Sequence, residues 1–242
     1  MGVDTTARHG RVETGSVGFK PGPVRTGRMS LIAFDFDGTL SDSEMTVLLG
    51  QRRDVADRMA EITERAMNDE IGYAESLRER AALLEGLPQA DAVRAFDQVE
   101  LRAGSAAVID RLNRAGHHTA ILTGGFERGV ERALEKEGVT VDTIVANRLP
   151  MADGELTGAV EGPLIEGTKD DALEGLAEEV AVPMDDTVAV GDGANDLPML
   201  SVAGLAIGFL PKEAVRPHCD LVVEAMDELA DVFEERGILS AE

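Results

Sequence analysis

The chain has 242 residues, 43% of them hydrophobic, which suits one domain or one domain carrying a small insertion and excludes global disorder. Its 46 acidic side chains against 23 basic ones give a formal net charge of -23, which argues against a nucleic-acid or anionic-lipid surface as partner. The single cysteine, Cys219, excludes an intrachain disulfide and any multi-cysteine zinc or iron-sulfur site.

The only lysines are Lys20, Lys136, Lys169 and Lys212, and this lysine-poor acidic balance resembles proteins of salt-accumulating halophiles. Such a charge repels itself, and molar salt shortens the Debye length to about 3 Å, so stability is expected to rise with salt. No stretch approaches the roughly 18 apolar residues of a membrane helix, and the first thirty residues lack a signal peptide's apolar centre. The expectation is a soluble cytoplasmic protein.

Residues 1 to 28 carry six glycines and five basic against two acidic side chains, and read as a disordered tail. Met29 stands directly before the first strand, so the tail is either an upstream over-extension of the reading frame or a flexible arm. Leu31 to Phe36 is an apolar run ending in acidic and glycine residues, as in a buried parallel strand with a functional loop at its carboxyl end. From Asp42 to about Leu101 Glu, Ala, Arg and Leu dominate and no strand-like run appears, which reads as an inserted helical segment with a break at Gly86-Leu87-Pro88. Apolar strand runs return at Thr119 to Leu122, Thr187 to Val190 and Leu205 to Phe209, as in an open α/β sheet. Between them, Ala152-Asp153-Gly154-Glu155 separates Ile144 to Leu149 from Leu156 to Val160, a hairpin signal.

Four clusters at strand ends carry chemistry. Asp35-Phe36-Asp37-Gly38-Thr39-Leu40 places two carboxylates two positions apart, where a bend after Asp35 brings both to a shared cation; the plain alternative is an Asp-Gly turn. Ile121-Leu122-Thr123-Gly124-Gly125-Phe126 offers backbone amides and a hydroxyl as an anion cradle, or else an ordinary strand-to-helix turn with Thr123 near an N-cap. Lys169 follows Gly167-Thr168 at an expected helix start, but the order Gly-Thr-Lys misplaces the lysine for a nucleotide P-loop. Val190-Gly191-Asp192-Gly193-Ala194-Asn195-Asp196 packs hard oxygen ligands after an apolar strand, which suits magnesium and not a dinucleotide.

Together and in this order, the four clusters resemble the haloacid dehalogenase superfamily of aspartate-nucleophile phosphohydrolases, from residue 31 to about 225. Within it the chain is more similar to phosphoserine phosphatases, through Glu75-Ser76-Leu77-Arg78-Glu79-Arg80, Leu83-Leu84, Gly86-Leu87-Pro88 and Ala146-Asn147-Arg148-Leu149. The resemblance implies a Rossmann-like three-layer α/β core with a parallel central sheet, residues 29 to 41 and 102 to 242, and a small helical cap inserted at 42 to 101. It implies that Asp35 is a nucleophile forming an aspartyl-phosphate, and that Asp37 is the acid for the leaving alkoxide and then the base for water. Thr123, the Gly124 amide and Lys169 would hold the phosphoryl oxygens. Asp35, Asp192 and the main-chain carbonyl of Asp37 would bind Mg2+, Asn195 would position the phosphate or the lysine, and Asp196 would support metal or lysine.

In the cap, Glu44 and Arg80 match the positions that take the ammonium and carboxylate of phosphoserine, while Met67 and Tyr73 would add apolar cover. Thr123 and Gly38 stand where serines are common in that family, and Phe209-Leu210-Pro211-Lys212 departs from its Ala-Lys-Pro order, which leaves Lys212 without a role. The expected activity is magnesium-dependent hydrolysis of O-phospho-L-serine, as in serine biosynthesis, by a monomer or homodimer. The alternatives are the same chemistry on another small phosphomonoester, a phosphotransferase, and a non-catalytic binding module.

Overall fold

The computed structural model describes residues 28–67 and 70–241. Strand β1 (Leu31–Phe34) is followed by four helices, α1 (Met45–Gln51), α2 (Ala56–Met67), α3 (Tyr73–Ala82) and α4 (Gln89–Phe96), then by α5 (Ser105–Ala115) and β2 (His118–Phe126). Helix α6 (Glu127–Glu137) leads to β3 (Thr143–Asn147) and to a hairpin of β4 (Met151–Ala152) and β5 (Glu155–Leu156). After them come α7 (Lys169–Glu179), β6 (Thr187–Gly191), α8 (Leu197–Val202), β7 (Leu205–Phe209), β8 (Leu221–Val223) and α9 (Met226–Glu235).

Six strands form one parallel sheet in the order β3-β2-β1-β6-β7-β8. All four residues of β1 are buried, and their alternation serves two apolar layers: Ile32 and Phe34 pack with Leu112 of α5, Val130 of α6 and Phe233 of α9, whereas Leu31 and Ala33 pack with Leu173 of α7 and Met199 of α8. A strand covered on both faces has no room for polar side chains until it leaves the sheet, so its polar residues gather at its ends. From β1 the chain winds outward through β2 to β3, then crosses back to β6 on the other side of β1 and winds outward through β7 to β8, so the crevice at that switch point lies at the carboxyl ends of β1, β2 and β6.

Helices α1 to α4 sit over this end. Met45 and Leu49 of α1, Met59 of α2, Leu77 of α3 and Phe96 of α4 join the same apolar cluster as Ile32 and Phe34. The break expected near Gly86 falls between α3 and α4, with Gly86 at φ +75 and Pro88 immediately before α4.

Two local expectations are corrected. Residues Thr143–Asn147 are not a hairpin arm but the edge strand of the main sheet, with Ile144 opposite Ile121 and Val145 opposite Leu122. An existing parallel edge covers these apolar residues better than a free ribbon would. The hairpin shrinks to two residues per arm around Asp153 and Gly154, both at positive φ, as a tight two-residue turn requires. Strand β8, only three residues long, gave no signal of its own. Of the expected tail only Arg28 is among the described residues, and it pairs with Asp186 at 3.0 Å. Among the described residues no helix is long and apolar enough to cross a membrane.

Candidate active site

Asp35 follows β1 directly, and its amide still donates to the Val190 carbonyl of β6 at 2.8 Å, so its side chain leaves the sheet at the crevice while remaining 2% exposed. The chain then turns: the amides of Thr39 and Ser41 donate to the Phe36 carbonyl at 3.2 and 2.9 Å. Gly38 sits at φ +96 within this turn, and a Cβ there would lie 2.7 Å from Asp192 Oδ1, so both conformation and space require glycine. Asp37 is thereby directed toward the end of β2, where a Cβ on Gly125 would meet its Oδ2 at 2.7 Å. Its Oδ1 is buried with no hydrogen-bond partner among the described residues.

Lys169 opens α7 and is 4% exposed. Its ammonium donates to Asp35 Oδ1 at 2.5 Å and to Asp196 Oδ1 at 2.6 Å. The other oxygen of Asp196 accepts the amides of Asp192 and Gly193, each at 2.9 Å, so this carboxylate is engaged on both sides. One carboxylate oxygen from each of Asp35, Asp192 and Asp196 lies within 4.8 Å of the others. Lys212, left without a role by the sequence, places its ammonium 3.3 Å from Asp192 Oδ2 and donates its amide to the Asp192 carbonyl.

This crowding of buried charge shows in the protonation equilibria. Burial, followed by the charge of Asp196, pushes Asp35 up to about 7 against the opposing pull of Lys169. Burial and then the charges of Asp35 and Glu44 hold Asp37 well above the usual carboxylate range, and burial also raises Asp192. Burial alone would lower Lys169, but Asp196 and Asp35 outweigh it and keep the ammonium charged.

At the end of β2 the ladder with β3 slips between Leu122 and Phe126, so Thr123, Gly124 and Gly125 form an irregular strand end and not a helix cap; α6 starts only at Glu127. Thr123 Oγ1 accepts the Gly125 amide at 2.9 Å, which leaves the hydroxyl proton to donate elsewhere. Asn147, fully buried, fixes this segment to the loop before α7. Its side-chain amide donates to the Gly124 carbonyl at 3.1 Å, and its Oδ1 accepts the Leu164 amide at 3.1 Å.

A cleft of about 740 Å³ opens here, and Tyr73, Arg80, Gly124, Lys169, Asn195 and Lys212 are on its wall. Arg80 donates from Nε to the Ser76 carbonyl at 3.3 Å. Burial lowers its guanidinium from the ordinary value, while Tyr73, Glu44 and Asp37 counter that shift. Glu44 precedes α1, is exposed and does not line the cleft, although its charge reaches both Arg80 and Asp37. Met67 lies outside the residues whose side chains are described.

One further residue had no sequence signal. Arg102, where the chain returns from α4, donates to the carbonyls of Thr39 and Gly38 at 3.2 and 3.3 Å and lies 5.2 Å over the Phe209 ring. Only the fold brings its guanidinium to the turn that carries Asp37.

A divalent cation fits this donor set on two observations: buried carboxylates converge with too little positive charge among them, and every available ligand atom is a hard oxygen. The arrangement is suited to receiving a phosphoryl group beside a nucleophilic carboxylate, with a second carboxyl close by whose burial favours the acid form.

Comparison with known proteins agrees. Residues 32–201 match the model of a family described as haloacid dehalogenase-like hydrolase. The chain is 53% identical over 210 residues to a phosphoserine phosphatase of Halobacterium salinarum, covering 87% of this chain and all of that one. It is 37% identical over 201 residues to a phosphoserine phosphatase of Methanocaldococcus jannaschii, covering 83% and 94%. Among solved structures, a phospho-aspartyl intermediate analogue of phosphoserine phosphatase superposes with a TM-score of 0.77 at 36% identity, covering 85% of this chain and 99% of that one. A substrate-bound phosphoserine phosphatase superposes with a TM-score of 0.77 at 35% identity, covering 86% and 98%.

Proposed function

Because this chain belongs to the haloacid dehalogenase-like hydrolases and, among them, to the phosphoserine phosphatases, we propose that it hydrolyses O-phospho-L-serine to L-serine and phosphate through a phosphorylated Asp35. The observation that carries the reading is Lys169, held by Asp35 and Asp196 on one wall of the cleft that Arg80 also lines.

A carboxylate oxygen of Asp35 attacks phosphorus as the bond to the serine oxygen breaks. That oxygen takes the proton of Asp37, whose raised pKa keeps the acid form available. Asp37, now a carboxylate, removes a proton from water as the water attacks phosphorus, and Asp35 is released with inorganic phosphate. The Lys169 ammonium, the Thr123 hydroxyl and the Gly124 amide bind the phosphoryl oxygens and oppose their charge, the main term in such transfers.

Asp35, Asp192 and the main-chain carbonyl of Asp37 would hold Mg2+, which would supply further positive charge beside the phosphoryl group. Asp196 keeps Lys169 in place, and Asn195, on the cleft wall, orients the phosphate. The segment 42 to 101 acts as the cap that reads the amino acid: the Arg80 guanidinium on the cleft wall takes the carboxylate, and Glu44, off that wall but with a charge that reaches Arg80 and Asp37, draws the ammonium. The acidic, lysine-poor composition supports work at high salt.

The test is phosphate release from L-phosphoserine and a panel of small phosphomonoesters, with magnesium, beside Asp35→Asn and Arg80→Ala. Preference for phosphoserine, abolished by Asp35→Asn and weakened mainly in KM by Arg80→Ala, is expected. Preference for another ester, unaffected by Arg80→Ala, would overturn the substrate assignment. No release from any ester would overturn the chemistry.

A further inference from the structure

Tyr73 is the first residue of α3 and reaches from the helices above the sheet to the phosphoryl-binding segment: a Cβ on Gly124 would run into its Oη. The phenol thus ends against the residue whose amide is assigned to the phosphoryl group, in the cleft lined also by Lys169 and Arg80. Its hydroxyl makes no hydrogen bond to any described residue. Burial raises its pKa above the ordinary phenol value, so it keeps its proton, and Lys169, Arg80, Asp35 and Asp37 are its charged neighbours.

Tyr73 is 43% exposed, so its hydroxyl is open to the cleft and free to exchange a water for a ligand oxygen. Here the oxygen points at the reacting end of the cleft. Gly124 adjoins Gly125, against which both Asp37 Oδ2 and Thr123 Oγ1 are packed. A neutral O–H is a useful donor at this place, since it can bind an anionic oxygen without adding a cation that would compete with Lys169 for Asp35.

We infer that the Tyr73 hydroxyl donates a hydrogen bond to the phosphoryl group of the substrate, beside Thr123, the Gly124 amide and Lys169. This rests on the phosphatase reading. It also gives the close approach of Tyr73 to Gly124 a purpose: the cap contributes one donor to the phosphoryl site itself, in addition to reading the amino acid through Arg80.

The isosteric variant Tyr73→Phe keeps the ring and removes the oxygen. Expected is a fall in kcat/KM for phosphoserine of about 10-fold, the scale of one hydrogen bond to a charged group, with an unchanged melting midpoint. The apparent Ki of inorganic phosphate should weaken by a similar factor, and that of L-serine should not change. Unchanged phosphate inhibition overturns the inference, even if turnover falls. A loss confined to L-serine would place the hydroxyl at the amino-acid end and overturn it equally. Should the wild type prove inactive on phosphoserine, the substrate reading fails separately, and calorimetric titration of wild type and Tyr73→Phe with inorganic phosphate and magnesium still decides the role of the hydroxyl.

Discussion

Lys169 Nζ lies 2.6 Å from Asp196 Oδ1, and the opposite oxygen of that carboxylate accepts two amides from the loop after β6. The pair therefore joins the start of α7 to the loop bearing Asp192 and sets Lys169 against Asp35. Removing Asp196 leaves Lys169 with Asp35 as its remaining partner and takes the acceptor from the Asp192 and Gly193 amides, an unsatisfied buried group costing about 1–3 kcal/mol. Asp196→Ala is expected to lower unfolding free energy by about that amount in denaturant titrations and to reduce turnover severely. Asp196→Asn should not rescue it fully, because a side-chain amide facing either Lys169 or the two backbone amides sets donor against donor.

Asp35 gives the metal-free protein a defined pH dependence. Its folded pKa of about 7 lies above the 3.8 of an ordinary aspartate, so the folded state holds the proton more tightly than the unfolded chain. The contribution of this group to stability is fully present below about pH 4 and is lost as pH rises through about 7. Magnesium requires the ionised carboxylate and therefore competes with that proton. Thermal melts should show a larger gain from magnesium at pH 8 than at pH 5.5, and calorimetry in buffers of different ionisation enthalpy should show proton release on binding near pH 7. A magnesium gain that does not change across this range would remove Asp35 from the metal site.

Arg102 holds the turn that carries Asp37 through the carbonyls of Gly38 and Thr39. Arg102→Ala loses those bonds and the contact over Phe209, and small misplacements of a reacting group are costly in rate. A fall in kcat of about 10- to 100-fold is expected, with KM nearly unchanged, because the cleft wall at Arg80 is untouched. Arg102→Lys should rescue poorly, since an ammonium cannot reproduce the planar fork. A change in KM alone would argue against this positioning role.

Salt should stabilise the fold. Surface pairs such as Arg132 with Asp97 and Arg148 with Glu127 weaken under screening, but each contributes little, whereas a net charge of -23 acts over the entire surface. The melting midpoint is expected to rise between 0.1 and 2 M KCl. A flat or falling midpoint would show that self-repulsion does not limit stability.

Much of the site was legible because the chemistry abuts the strands. Asp35, Thr123 and Asp192 each follow an apolar run that the sheet buries on both faces, so period and composition located them. The contact of Lys169 with Asp35 spans 134 positions and has no sign in the sequence; the family resemblance implied only that both meet the phosphoryl group. Arg102 and Asn147 were not read as site residues because what they do depends on backbone carbonyls and amides brought near by folding, and an ordinary arginine or asparagine gives no sign of that. The strand at Thr143–Asn147 was misread because the nearby Asp153-Gly154 turn dominates the local pattern, while the competing β2 edge is invisible in a linear chain.

Met45, Met59 and Leu77 belong to the same apolar cluster as Phe34 and Ile121, so the helices above the sheet cannot lift away as a unit without opening the interior to water. The cleft runs along the seam between α3 and the loop before α7, with Tyr73, Arg80, Leu164 and Glu166 on its wall. That seam is fastened at its rim by Arg78 and Glu166, 2.5 Å apart and both largely exposed, a pair that dissolved ions screen readily. Concentrated salt is thus expected to act twice on this molecule, tightening the body by quieting its surplus charge and slackening the pair that ties the two walls of its cleft.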